Sequence, residues 1–391
     1  MPLLFFAGLI FGLTSLAVLG SGGYLAWSWF EGEIVRDGNG ALQRVREDWR
    51  LWLAIVLLGW SFLGRWLVPL LLARADTDPT RAARGSGTWI KGDGGTELYV
   101  ETLGDAAAPP LILVHGWGLD STIWYYARRD LAKRYRVIVW DLPGLGRSTV
   151  TKSKAVDLSR FAADLKAVVG FAGGRPVVVG HSIGGMTIQT LARDDPAFFD
   201  REIAGAVLLN TTYTNPLETM IMSGLVKAMR WPVLEPAMRL AIWLQPLAWL
   251  AAWQSYFSGS AHMANRLGFG RYVTRSQLEQ TTLLATRNPP GILAKGNLAM
   301  FRWDATGALA AIKTPVLVIG GDKDIITRLE ASETISTTAP DCRLLVVEGV
   351  NHMGFLERAD LYNDAIAVFT ASVQPPPEAI RLRAGSLEKS S

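Results

Sequence analysis

The sequence predicts an α/β protein: a doubly wound, mostly parallel sheet with an inserted helical cap, preceded by an N-terminal transmembrane helical hairpin. Three observations carry that prediction. Short apolar runs such as Leu111-Ile112-Leu113-Val114 and Val177-Val178-Val179 alternate with helical patterns such as Leu158 to Val169, which suits strands buried on both faces. About 100 residues separate the run ending at Leu209 from the one starting at Pro315, far more than a crossover needs. Two long apolar stretches occupy residues 1–73, the expected membrane anchor.

The first stretch, Pro2 to Phe30, contains no charged residue over about 29 positions, whereas a membrane-spanning helix needs about 20. Trp27 and Trp29 near its end fit an interfacial aromatic belt. A cleaved signal peptide would start with basic residues and carry a shorter apolar run, so a span is expected. Glu31 to Arg50 is polar and of mixed charge, with Asp37-Gly38-Asn39-Gly40 as a turn. Leu51 to Ala73 is apolar again, interrupted by Arg65 and by the breaker Pro69. An arginine toward one end of a span can snorkel, so this reads as a second span or a deeply embedded helix. Such a hairpin places the amino terminus and the rest of the chain on one side of the bilayer.

Composition from Arg74 to Thr96 reads as connecting chain, of which 74–87 is assigned as linker. Residues 88–213 and 305–373 are expected to form the sheet domain, with Val137-Ile138-Val139-Trp140, Ala206-Val207-Leu208-Leu209, Pro315 to Ile319 and Leu344 to Val347 as further strands. Residues 214–304 form the cap. From Trp231 to Phe257 its only charges are Glu235 and Arg239, while Trp231, Trp243, Trp249 and Trp253 are spread among Leu, Ala and Pro. That suits a lid with an acyl-chain pocket or a surface that dips into lipid; the alternative is that the tryptophans pack the cap's own core. Pro375-Pro376-Pro377 ends the last helix, and the tail 374–391 is expected to be disordered.

The chemistry centres on Pro176 to Gly185, P-V-V-V-G-H-S-I-G-G. A valine strand runs into glycines and then into an apolar helical pattern, with Ser182 at the apex of the turn. Gly180-His181-Ser182-Ile183-Gly184 has the G-x-S-x-G form of a nucleophile elbow, in which glycines admit close chain approach and backbone strain exposes the serine beside a helix N-terminus.

A serine hydroxyl needs a base, normally histidine, and the base needs an acid to orient it. The chain has four histidines. His115 belongs to another motif, His181 adjoins the serine, and His262 is placed in a polar break of the middle region. His352 follows the strand Leu344 to Val347, where ligand sites of parallel sheets lie. For the acid, Pro315 to Ile319 ends in Gly320-Gly321-Asp322-Lys323-Asp324; Asp324 is the choice and Asp322 its rival. An acid after the strand ending at Leu209 is not available, because Asn210-Thr211-Thr212 offers no carboxylate.

With Ser182, Asp324 and His352 in that order, residues from about 88 to 373 resemble an α/β-hydrolase-fold protein of the esterase and lipase type. His115-Gly116-Trp117-Gly118 resembles that family's H-G-x-x loop, and the resemblance implies that the backbone N–H groups of Trp117 and Ile183 form the oxyanion hole. Asp141-Leu142-Pro143-Gly144-Leu145-Gly146-Arg147-Ser148 resembles its structural D-x-P-G-x-G-x-S turn. Members that form alkyl-enzymes, the haloalkane dehalogenases and epoxide hydrolases, use an aspartate where this chain has Ser182.

Composition narrows the field. Hydrophobic residues make up 49% and charged residues 19%, which is greasy for a soluble enzyme. Scattered basic residues and a net charge of +4 support no nucleic-acid site, though a modest attraction to anionic lipid is compatible with them. One cysteine, Cys342, forbids an intrachain disulfide. No metal-ligand cluster or phosphate-cradling loop is evident, so no cofactor is expected. The expectation is a membrane-anchored serine hydrolase of lipid-like carboxylic esters. Thioesterase, amidase, acyltransferase or cofactor-free perhydrolase chemistry would use the same triad, and a non-catalytic membrane scaffold or receptor is the remaining alternative.

Overall fold

The computed structural model describes residues 2–150 and 156–374. Apart from Gln374, the tail expected to be disordered lies outside them. Helix α1 (Pro2–Glu31) and helix α2 (Asp48–Leu72) are joined by a small antiparallel hairpin of β1 (Glu33–Arg36) and β2 (Leu42–Val45). Asp37 shapes the turn, its Oδ1 accepting from the N–H groups of Asn39 and Ala41 at 2.9 Å. Pro69 sits within the last turn of α2 and does not end it before Leu72.

The main sheet has eight strands: β3 (Gly87–Lys91), β4 (Glu97–Leu103), β5 (Pro110–Val114), β6 (Arg136–Trp140), β7 (Val177–His181), β8 (Gly205–Leu209), β9 (Val316–Gly321) and β10 (Cys342–Val347). Their order is β10-β9-β8-β7-β5-β6-β4-β3. The six from β10 to β6 are parallel, and β4 and β3 add an antiparallel edge. β3 begins within the stretch that composition reads as connecting chain, and β4 follows directly after it. The preceding segment has no long regular element, yet it is pinned: Arg84 pairs with Asp120 at 2.7 Å and with Asp141 at 3.0 Å.

Helices cover both faces, as apolar strands with no solvent side require. On one face α4 (Leu158–Ala172) and α5 (Ile183–Asp194) bury Phe161, Leu165, Ile188 and Leu191 against Ile112 and Val178. On the other, α3 (Tyr125–Leu131) and α16 (Ala359–Val373) bury Leu131, Tyr362 and Ile366 against Leu111 and Val179. Short α6 (Pro196–Glu202) precedes β8, α14 (Leu329–Thr338) links β9 to β10, and α15 (Gly354–Glu357) precedes α16.

Between β8 and β9 the chain leaves the sheet as α7 (Pro216–Thr219), α8 (Ser223–Ala228), α9 (Glu235–Trp243), α10 (Gln245–Phe257), α11 (Ser260–Arg266), α12 (Arg275–Arg287) and α13 (Pro290–Met300). The apolar hairpin docks on this cap. A Cβ at Gly64 of α2 would lie 2.0 Å from the Ser258 carbonyl oxygen, so only glycine allows the two backbones to approach this closely. Ser15 of α1 hydrogen-bonds Ser258 at 2.9 Å and Ser260 at 2.6 Å.

Arg65 does not snorkel to a helix end. Its guanidinium stacks over Trp66, 4.4 Å from the ring centroid, and donates to the Tyr256 hydroxyl at 3.4 Å. Tyr256 in turn donates to Glu279, which is bonded to His262 Nε2 at 2.6 Å. His262 is therefore a fully buried residue of α11, packed among cap helices and not in a polar break. Trp231 and Trp243 are exposed, whereas Trp249 donates its indole N–H to the Thr286 carbonyl at 2.9 Å.

Candidate active site

Ser182 occupies the apex between β7 and α5 with φ 55° and ψ −117°, a left-handed conformation strained for any residue with a Cβ. Close packing forces the glycines around it. A Cβ at Gly180 would lie 2.4 Å from the Gly184 carbonyl carbon, and one at Gly184 would lie 2.3 Å from the Val114 carbonyl oxygen. The elbow is held from β8 as well: Ser182 N–H donates to Leu209 O at 3.0 Å, and Thr211 Oγ1 donates to Ser182 O at 2.7 Å.

The second centre forms where β9 and β10 end. His352 Nδ1 donates to Asp324 Oδ2 at 3.0 Å. Both side chains are buried. The same Oδ2 accepts from Asn210 Nδ2 at 3.0 Å and Thr327 Oγ1 at 2.8 Å, while Oδ1 accepts from the N–H groups of Ile326 and Thr327 at 2.8 Å. Burial pushes the Asp324 carboxyl up, but the His352 charge, the His352 bond and the Thr327 and Asn210 donors outweigh it, and it lies below its ordinary value. A carboxylate at Nδ1 fixes the tautomer and leaves the Nε2 lone pair as the basic one. That Nε2 is buried and makes no hydrogen bond.

Asp322, the rival acid, is occupied elsewhere. Its Oδ1 accepts from Gly349 N–H at 2.6 Å and its Oδ2 pairs with Lys323 at 3.0 Å, closing the turn between the two loops.

Elbow and histidine loop meet through His181, whose Nε2 donates to the His352 carbonyl oxygen at 3.0 Å. Burial holds the His181 imidazole well below its usual pKa, and it stays neutral. The histidine loop is braced further by Asn351, whose Oδ1 accepts from Ile325 N–H at 3.0 Å and His352 N–H at 2.8 Å. Glu357, pushed up by burial, accepts from Gly270 N–H at 2.7 Å and Asn351 N–H at 3.2 Å.

Asn210, Thr327, Asn351 and Glu357 have no part in the reading from sequence. Asn210 had a signal, a short polar run directly after an apolar strand, and it holds φ 44° with its Oδ1 accepting from Tyr362 at 2.8 Å.

Trp117 lies in the loop after β5 and Ile183 is the first residue of α5, so both backbone positions flank Ser182 at the carboxyl edge of neighbouring strands. The Trp117 indole donates to the Leu293 carbonyl at 3.1 Å, tying this loop to the cap. His115 is structural: Nδ1 donates to Gly116 O and Nε2 accepts from Leu142 N–H, both at 2.9 Å. Asp141 likewise accepts from Ser121 N–H and Arg147 N–H at 2.8 Å.

Above these loops lies a cavity of about 1170 Å³, its open mouth included, into which His352, Met353, His181 and Trp117 face. Among the described residues no cluster of His, Cys, Asp or Glu could hold a metal ion.

A family model described as the alpha/beta hydrolase family matches residues 111–365. The chain belongs to the alpha/beta hydrolase family. Pimeloyl-[acyl-carrier protein] methyl ester esterase of Nitrosospira multiformis is 28% identical over 275 residues, covering 69% of this chain and 96% of that protein. A non-heme haloperoxidase of Rhodococcus erythropolis is 29% identical over 293 residues, covering 73% and 99%. Among solved structures, the esterase RhEst1 from a Rhodococcus species superposes with a TM-score of 0.60 at 22% identity, covering 74% of this chain and all of that one. A membrane phospholipase A superposes with a TM-score of 0.59 at 18% identity, covering 80% and 90%. This alpha/beta hydrolase is an enzyme of the esterase type, and its family match begins after both apolar helices.

Proposed function

We propose that this enzyme is a membrane-anchored serine hydrolase that cleaves carboxylic esters of apolar, lipid-like acyl groups. The observation that carries the reading is the buried His352–Asp324 pair, with a basic Nε2 left without a hydrogen bond, joined through His181 to the strained Ser182 elbow. Ser182 Oγ adds to the ester carbonyl carbon while His352 Nε2 takes the hydroxyl proton. The backbone N–H groups of Trp117 and Ile183 hold the oxyanion. Nε2 returns the proton to the departing alkoxide, leaving an acyl-enzyme; water, deprotonated by the same nitrogen, releases the acid and restores the serine. Asp324 stays ionised and stabilises the imidazolium.

The apolar cavity supports a hydrocarbon acyl group. Anchoring is supported by Phe5–Glu31 and Asp48–Leu72, each with a mean hydropathy of 1.8, and by their exposed Trp27, Phe30, Trp52 and Leu71. The fold neighbour named a membrane phospholipase A is in keeping with this. The haloperoxidase relative favours a second reading, perhydrolysis, in which hydrogen peroxide replaces water on the same acyl-enzyme and yields a peracid.

A fluorophosphonate probe should label the wild-type protein and not Ser182→Ala; equal labelling of both refutes the assignment. Across p-nitrophenyl esters of rising chain length, a preference for acetyl refutes the lipid reading.

A further inference from the structure

The helix that the sequence marks as an anchor also reaches the cavity. Phe5, Gly8 and Leu9 of α1 line it together with His352, Met353 and Trp117. Small cap residues line the same cavity: Ala248, Ala251 and Ala252 of α10, Ala261 and Ala264 of α11, and Ala285 of α12. Docking of α1 is tight just beyond: a Cβ at Gly12 would lie 3.2 Å from the Ala251 Cβ, and the Ser15 hydroxyl bonds follow one turn later. At Gly8 itself a Cβ would meet nothing within 4 Å, so space stands open there.

Length fits the same picture. Thirty residues of helix rise about 45 Å, whereas the hydrocarbon layer is about 30 Å thick. A span formed by the C-terminal two thirds of α1 leaves the first ten or so residues beyond the bilayer core, and Phe5, Gly8 and Leu9 fall in that part.

Resting on the function proposed above, we propose that α1 is a wall of the substrate site, and that the missing side chain at Gly8 sets how long an acyl chain the enzyme accepts. The acyl chain lies between α1 and the alanine face of the cap, with its ester end at His352. One continuous helix then runs from the lipid phase to the reacting group.

The test compares kcat/KM for p-nitrophenyl laurate and acetate in Gly8→Trp, with Leu13→Trp as control, since Leu13 is an exposed residue of the same helix. In Gly8→Trp the laurate-to-acetate ratio should fall about tenfold or more, because an indole fills the space an acyl chain needs. In Leu13→Trp it should hold. An unchanged ratio in Gly8→Trp, or an equal fall in Leu13→Trp, overturns the proposal. A wild-type preference for acetate would sink the lipid reading alone, and a second arm then decides, as it does if Gly8→Trp fails to fold. Gly8→Cys in a Cys342→Ser background is capped with dodecyl methanethiosulfonate before fluorophosphonate is added. Slowed labelling upholds α1 as a wall of the site; labelling at the uncapped rate overturns it.

Discussion

The Nε2 of His181 donates to the carbonyl oxygen of His352 at 3.0 Å, so the residue beside the elbow serine fixes the height of the loop that carries the second histidine. Their rings lie 4.8 Å apart, and the His181 ring also packs on Phe355 at 4.5 Å. His181→Phe keeps the ring volume and removes the donor. We expect kcat to fall about 10- to 100-fold with KM changed by less than about twofold, because a small misplacement of the base costs orders of magnitude. His181→Gln, which restores an amide donor, should recover part of the loss in the same steady-state assay.

Asp324 and Asp322 stand two residues apart with different partners, and their amide variants should separate cleanly. Asp324→Asn leaves the His352 tautomer uncontrolled and should lower kcat by about 10³ to 10⁴. Asp322→Asn weakens one loop hydrogen bond to Gly349 and should cost about 1 kcal/mol of stability with little change in kcat. Steady-state kinetics and urea melts of the two variants check both statements.

Burial raises the Asp164 carboxyl to about 6, against the hydrogen bonds it accepts from Asp93 N–H at 2.6 Å and Thr96 Oγ1 at 2.9 Å. The folded chain thus holds this proton up to about pH 6, while the unfolded chain releases it near pH 4. Between those values the folded state binds more protons, so this group's contribution to stability declines as pH rises and is level above about 6. The decline amounts to at most about 3 kcal/mol. Urea midpoints from pH 4 to pH 7 should show the slope, and Asp164→Asn should remove that part of it.

Gly64→Leu drives a side chain into the Ser258 backbone and should undock α2 from the cap, lowering stability by about 2 to 4 kcal/mol. At Gly59 of the same helix a Cβ meets nothing within 4 Å, so Gly59→Leu should melt close to wild type in detergent.

How far the sequence could be read follows from how local each signal is. The strands β5 to β9 are valine- and leucine-rich because both faces are covered, and their apolar runs are plain in the chain. β3 lies at an open edge, carries exposed polar residues such as Thr88, and reads as connecting chain for that reason. Ser182 announces itself through the glycines that its turn demands. Asn210 does not, because its work is to donate to a carboxylate 114 positions away, a pairing made only by the folding of β8 beside β9. The docking of α1 and α2 on the cap was equally hidden: a helix with apolar residues all round looks the same whether lipid or protein covers it.

Glycine-tight seams at Gly12 and Gly64 fasten both apolar helices to the cap from Ala251 to Gly259. A cap fastened at two such seams does not swing up like a flap when it meets an interface. Turnover should therefore climb smoothly through the critical micelle concentration, with no sudden jump as monomers give way to aggregates. On the anchored, acyl-cleaving reading proposed above, traffic of acyl chains is governed by the slot beside the first helix, a fixed doorway set at the level of the lipid.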